Sequence, residues 1–271
     1  MGLVLRPLDD PHNKVVKAAA RLGVNREARE RAGQALVEGP HAVEEALTHS
    51  ISLRTVLYSA RLLDRPGGRE LLDRTTWTRA RMLYVTDSVL DAVTQVEAHQ
   101  GIAAVVAYDL PFAAVVPAAP VLVLEAVQDP ANLGALVRSA VAFGFRVAVT
   151  RGSVDPFNPK AFRASAAAMF RAELVRLDYA WSVPAGTSLV VTDAHGEMAY
   201  TDWDWSRPTA LVVGNEGAGV SLDLARQADA HLRIPMMPGT ESLNVAAAGA
   251  VIMADAFHRL NVPKVPRRPA E

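Results

Sequence analysis

The sequence predicts an α/β protein in two parts, a smaller N-terminal α/β domain and a C-terminal domain built on a parallel sheet. Three observations carry this. Short apolar runs alternate with helical patterns along most of the chain. Val121 to Glu125, Asn132 to Phe143 and Phe145 to Val149 read as strand, helix and strand, a βαβ unit that calls for parallel pairing. Between the two parts lies a stretch rich in Ala, Val and Pro with a single charge, Asp109. Residues 108–119 therefore read as a linker between an N-terminal domain, 1–107, and a C-terminal domain, 120–271.

In the first part, Asn13 to Leu22 and Pro40 to Leu47 read as helices. Ala35 to Val37, Leu53 to Tyr58, Met82 to Val85 and Ala103 to Val106 read as strands. No catalytic constellation is visible there. In the second part the helix from Asn132 stops at Gly144, where a left-handed residue is usual. Leu189 to Thr192, Ala210 to Val213 and Leu232 to Ile234 supply further strands, and a short helix begins near Ser221. The last helix, from about Ser242 to Leu260, is so rich in Ala and Gly that a neighbouring element must pack close against it.

Composition narrows the function. The 271 residues are 50% apolar, which is ample for a core. There is no cysteine, so disulfides, thiolate zinc sites and cysteine nucleophiles are excluded, and a reducing cytoplasm suits the chain. The first residues, Met1 to Pro7, hold too short an apolar stretch for a signal peptide. The apolar run Leu110 to Leu124 is broken by three prolines and is too short to span a bilayer. A net charge of −1 means that any nucleic-acid binding must come from local patches. The main candidate is the run Lys14, Lys17, Arg21, Arg26, Arg29 and Arg31, opposed by Glu27 and Glu30; its bland reading is a solvated helix face. Lys160, Arg163 and Arg171 form a second cluster, and Lys264, Arg267 and Arg268 a third. The seven histidines are scattered without H-E-x-x-H, and His195 in Asp193-Ala-His-Gly196 reads as part of a turn, so no metal is expected.

Three segments of the second half couple a shaped backbone to a few polar side chains. In the first, Asp129-Pro-Ala-Asn132 is a helix start with Asn132 as a plausible N-cap. Gly134 and Arg138 are i,i+4 neighbours, so a ligand could approach over the glycine with Arg138 reaching across. The second is the turn Gly214-Asn-Glu-Gly-Ala-Gly219, with Glu216 at its apex. It is neither G-x-G-x-x-G nor a P-loop. In the third, Ile234 to Asn244, prolines and a glycine shape a loop that leaves backbone groups free to read an adenine edge, and Ser242 and Asn244 can cap the following helix.

Taken together, the three segments resemble the motifs of the SpoU-type (SPOUT) RNA ribose 2′-O-methyltransferases. Pro159-Lys160-Ala-Phe-Arg163-Ala-Ser165 resembles the family's connecting segment, although Asn158 stands where a serine is commoner. Asn13-Lys14, Arg31 and Glu38-Gly39-Pro40-His41 look like its RNA-binding domain, with Lys14, Arg21, Arg31, Lys160 and Arg163 as RNA contacts. The resemblance implies a deep trefoil knot in the C-terminal domain, a homodimer with its final helix as a dimer surface, and S-adenosylmethionine as cofactor. It places Thr192, Gly214, Ile234, Met236 and Leu243 at the cofactor, and Asn132, Arg138, Glu216, Ser242 and Asn244 at the reaction. In the family the arginine matching Arg138 is proposed as the base. A reference pKa of ~12.5 makes a neutral guanidine costly, and the physical alternative is an arginine that binds phosphate and stabilises the forming alkoxide, held by Glu216 and Asn132. The implied activity is ribose methylation of structured RNA, ribosomal RNA before transfer RNA. An idle RNA-binding or assembly factor on the same fold is the reading from another class.

Overall fold

The computed structural model describes residues 6–261. Residues 1–5 of the stretch read for a signal peptide, and the basic tail at Lys264, Arg267 and Arg268, lie outside the described residues. Among the described residues two compact bodies emerge, one of 6–109 together with 155–171, the other of 110–154 with 172–261.

The first body begins with α1 (Lys14–Val24) and α2 (Arg26–Ala32). Asn13 caps α1 by accepting from the Val15 N–H at 2.9 Å, and Asn25 caps α2 from Ala28 at 2.7 Å. The helix α1 buries Val16, Ala19 and Leu22 and leaves Lys14, Lys17 and Arg21 on its exposed face. There follow β1 (Gln34–Glu38), α3 (Pro40–Thr48), β2 (Leu53–Tyr58), α4 (Ala60–Leu63), α5 (Gly68–Thr76), β3 (Arg81–Tyr84), α6 (Asp87–Asp91) and β4 (Ile102–Ala107). The strands pair in the order β1-β4-β2-β3, antiparallel except for β2 with β3. The helix α8 (Pro159–Ala164) also belongs to this body.

One tie that holds 155–171 there is a buried ion pair. Arg29 Nε donates to Asp155 Oδ2 at 2.6 Å, with side-chain exposures of 3% and 2%. Arg29 also donates to the Leu22 carbonyl, and Asp155 Oδ1 accepts from Phe157 N–H, so both charges are bonded twice. The expectation that Lys14 to Arg31 form one basic patch for nucleic acid, with a solvated helix face as its bland reading, is thereby corrected at Arg29. Arg29 is buried, while Arg26 pairs with Glu30 and Arg31 with Glu27 one helical turn apart.

The second body contains β5 (Phe112–Val115), β6 (Val121–Leu124), α7 (Pro130–Ala142), β7 (Arg146–Val149), β8 (Leu174–Ser182), β9 (Ser188–Thr192), β10 (Met198–Ala199), β11 (Thr209–Val213), α9 (Leu222–Gln227), β12 (Ala230–Arg233) and α10 (Val245–Asn261). All pairings are parallel, in the order β10-β12-β9-β11-β6-β7-β8-β5. Every residue of β6 and β11 is buried, as strands covered on both faces require. Within the stretch expected to be a linker stands β5, an edge strand whose flanking prolines have no ladder bond to donate. Where a close packing partner was expected, α10 lies against α7. A Cβ built on Gly249 would come within 2.5 Å of Leu136 Cδ2. No described helix is long and apolar enough to cross a membrane.

Candidate active site

The sheet of the second body reverses its winding beside β6. The chain runs outward through β7 and β8 on one side and places β11, β9 and β12 on the other. Such a reversal opens a crevice beyond the carboxyl ends of the strands. A cleft of about 700 Å³ lies there, walled by the ends of β9, β11 and β12, the first turn of α7 and the loop that leads into α10.

At its mouth three side chains form one hydrogen-bonded chain. Glu216 accepts from the Gln128 N–H at 3.2 Å, the Asp129 N–H at 3.0 Å and Asn132 Nδ2 at 3.1 Å. Asn132 Oδ1 in turn accepts from Asn244 Nδ2 at 2.9 Å. Asn244 Oδ1 accepts from the N–H groups of Ala246 and Ala247 and so caps α10. Partial burial pushes the Glu216 carboxyl up, but bonds from Asn132 and from the N–H groups of Asp129, Glu216 itself and Gln128 outweigh it and hold its pKa below the ordinary value. The apex carboxylate thus finds its partners at the entry to α7, where the helix dipole also favours a negative charge.

Asn132 can bridge because it is not the cap. Asp129 takes that place, accepting from the Ala131 N–H at 2.8 Å with Pro130 as the first helical residue. The helix therefore starts two residues earlier than expected, and Asn132 faces the cleft.

The turn 214–219 closes on itself. Asn215 and Gly219 exchange two backbone bonds of 2.9 Å, and a Cβ on Gly214 would stand 2.2 Å from the Gly219 carbonyl carbon. Gly214 is needed first for that backbone approach. Asn215, which the sequence reading passed over, accepts from Gly217 and Ala218 and donates to the Ala126 carbonyl, fixing the turn that carries Glu216. An Asn opening a Gly-rich turn was the signal available for it.

The cleft brings together Thr192, Gly214, Ile234, Met236 and Leu243, the whole set expected at the cofactor, along with Asn132, Glu216, Ser242 and Asn244. Ser242 is exposed and makes no hydrogen bond among the described residues. Arg138 stands apart. It is exposed, does not line the cleft, and has no hydrogen bond or ion pair among the described residues. The expectation that Glu216 and Asn132 hold it is corrected by helix geometry. Residues six apart are rotated by about 240° around the axis and cannot converge on one partner. Gly134 is buried on the packed face of α7 and offers no open approach.

Of the expected RNA contacts, Lys14 and Arg21 are exposed on α1, and Lys160 is exposed on α8. Arg31 is engaged by Glu27, and Arg163 donates to Glu38 at 2.8 Å within the first body.

A crossover parallel sheet with a ligand-sized cleft at its winding reversal defines a class of α/β proteins that bind a small molecule at strand ends. The profile described as SpoU rRNA Methylase family matches residues 119–254, and that described as MRM3-like substrate binding domain matches 13–104. The chain is 33% identical over 254 residues to the 23S rRNA (guanosine(2553)-2′-O)-methyltransferase RlmP of Bacillus subtilis, covering 92% of this chain and 98% of that one. It is 32% identical to the 23S rRNA (uridine(2479)-2′-O)-methyltransferase of Streptomyces viridochromogenes, covering 87% of this chain and 86% of that one. The crystal structure of the SpoU methyltransferase AviRb from the same organism, in complex with the cofactor AdoMet, superimposes with a TM-score of 0.79 at 28% identity, over 92% and 98% of the two chains. The chain belongs to the SpoU rRNA methylase family.

Proposed function

We propose that this protein transfers a methyl group from S-adenosylmethionine to a ribose 2′-hydroxyl of ribosomal RNA, as a homodimer in the cytoplasm. The observation that carries the reading is the chain Glu216–Asn132–Asn244 at the mouth of the cleft, in a chain of this family. Two relatives named for 23S rRNA 2′-O-methylation, each matching more than four fifths of this chain, favour ribosomal over transfer RNA.

The cleft fits the cofactor. Its volume of about 700 Å³ falls within the range of small-molecule sites. The loop from Ile234 leaves most of its backbone N–H and C=O groups without backbone partners among the described residues, and Leu243 is 42% exposed beside them. Thr192, Gly214, Ile234, Met236 and Leu243 would hold it. Bound there, S-adenosylmethionine supplies an electrophilic methyl on a sulfonium, and a nucleophilic alkoxide loses charge as it attacks, which a dry pocket favours. Glu216 and Asn132 fix the rim on which the nucleotide rests, and Asn244 ties the loop before α10 to α7. Arg138, outside this set in one chain, serves the site of a second copy, where it binds phosphate and stabilises the alkoxide.

The exposed face of α10 supports the dimer. Val251, Phe257 and Leu260 are 40–47% exposed, and Phe143 of α7 packs beside Phe257 with ring centroids 6.0 Å apart. A single-chain mass in sedimentation at micromolar concentration would rule it out. The C-terminal body carries the deep trefoil knot implied by the resemblance, which a chain trace in an experimental map tests. For the reaction, labelled methyl is followed into protein-free ribosomal RNA and tRNA, then into alkali-resistant dinucleotides. Label in mononucleotides alone would overturn ribose chemistry, and label confined to tRNA would overturn the substrate.

A further inference from the structure

Two motifs singled out in the sequence, Glu38-Gly39-Pro40-His41 and the segment around Arg163, have no part in the cleft. In the structure both line a second cavity, within the first body, whose remaining wall comes from residues 96–102. We propose that this cavity holds one unstacked nucleobase of the RNA substrate, an inference that rests on the RNA-methylating reading above.

Size, lining and charge point to that ligand. The cavity measures about 200 Å³, roughly the share of seven liquid waters, which suits a planar heterocycle better than an ion. Its walls are apolar, with Ala42, Val96, Ile102 and Phe162 among them, while His41 and Gln100 stand exposed at the rim. Arg163 is held in place rather than loose. The Glu38 carboxylate, 3% exposed, accepts from its guanidinium at 2.8 Å and from the Gln95 N–H at 2.7 Å. The remaining N–H groups of Arg163 have no partner among the described residues and can donate to base acceptor atoms. Because Glu38 already neutralises Arg163, a phosphate gains little here, and a neutral base edge read by Gln100 and Arg163 gains more.

The backbone gives independent support. Ala166 and Ala167 line the cavity with consecutive left-handed φ values of 48° and 62°. Only two other described non-glycine residues have positive φ, and one, Ala126, accepts from Asn215 beside the methyl-transfer cleft. Ala166 and Ala167 follow directly on the C-terminus of α8, where Ala166 N–H bonds to the Arg163 carbonyl, and residues held in this region persist only where the surrounding structure over-determines them and cluster at ligand sites. Single-stranded RNA is recognised through bases splayed out of the stack, and part of this wall lies in the region that matches the substrate-binding profile.

The test uses the full-length protein and protein-free ribosomal RNA. Ala98→Trp plugs the exposed mouth, and Gln100→Ala removes an edge contact without adding bulk. Each should raise KM for RNA, about tenfold or more for Ala98→Trp, with AdoMet affinity and melting temperature unchanged. RNA transcribed with 4-thiouridine or 6-thioguanosine should photo-crosslink to peptides spanning 38–42, 96–102 or 162–167, and Ala98→Trp should abolish the crosslink. Unchanged KM in both variants, or crosslinks confined to other peptides, would overturn the proposal. Crosslinks at the cavity from a wild-type protein that methylates no RNA would support the cavity and sink the methyl-transfer reading instead.

Discussion

The Arg29–Asp155 pair and the Glu216–Asn132–Asn244 chain use similar chemistry to opposite ends. Both join residues far apart in sequence, 126 positions in one case and 84 and 112 in the other. The first is almost wholly buried, whereas Glu216 and Asn244 are exposed and Asn132 is half-buried. A buried charge that loses its partner cannot turn to water, so the cost appears as lost stability. An exposed group can rehydrate, so the cost of removing it appears in geometry and hence in rate. Substitutions in the two regions should therefore separate melting temperature from activity.

The largest effect is expected at the ion pair. Arg29→Ala leaves the Asp155 carboxylate buried with only the Phe157 N–H, and should cost about 3–5 kcal/mol in urea or thermal unfolding. The double change Arg29→Met with Asp155→Leu should recover most of that loss, because no uncompensated charge remains. A loss below about 1 kcal/mol for the single variant would mean that water reaches the pair and that it behaves like the exposed chain at Glu216.

Gly214→Ala should come next. The new Cβ would stand 2.2 Å from the Gly219 carbonyl carbon and 2.3 Å from its oxygen, so the turn has to open. We expect about 1–3 kcal/mol of destabilisation together with at least a tenfold loss of cofactor affinity by calorimetry. Retained affinity would show that the turn can relax without moving the cofactor wall.

How far these regions could be read in advance follows from the same distinction. The strands β6 and β11 were legible because both faces are buried and the sequence is apolar throughout. Arg176 and Asp178 interrupt the pattern of β8, which was missed, and β5 was hidden by Pro111 and Pro117 on either side. That 155–171 joins the first body rests on long-range contacts, the Arg29–Asp155 and Glu38–Arg163 pairs among them, which no local pattern announces. The cleft was legible as three motifs, since Gly, Pro and Asn mark its turns. The division of labour within it was not. Asp129 took the cap that Asn132 was expected to fill, and Arg138 fell on another face of the helix.

Asn132→Ala sharpens the comparison from the active-site side. It breaks the bonds to both Glu216 and Asn244, so the turn at 214–219 and the loop before α10 lose their common anchor. Methyl transfer should fall about 100-fold in kcat/KM, the scale of a small misplacement at a reacting centre, while stability changes by about 1 kcal/mol or less. A large fall in melting temperature with activity retained in the folded fraction would place this chain with the ion pair instead.

The smallest effect is the pH dependence that Glu216 brings to stability. Its carboxyl titrates below the ordinary value of 4.5 in the folded protein, so the ionised form is favoured by folding. The resulting stabilisation is fully present above the unfolded-state pKa and is lost as pH falls through the lower folded-state value. Exposure of this side chain limits the contribution to about 1 kcal/mol or less. Unfolding curves of wild type and Glu216→Gln should therefore differ by a constant amount from neutral pH down to about pH 5, and converge in more acid solution. Convergence on raising the pH instead would require a carboxyl stabilised in its protonated form, and with it a different set of donors around Glu216 from Asn132 and the N–H groups of Asp129, Glu216 itself and Gln128.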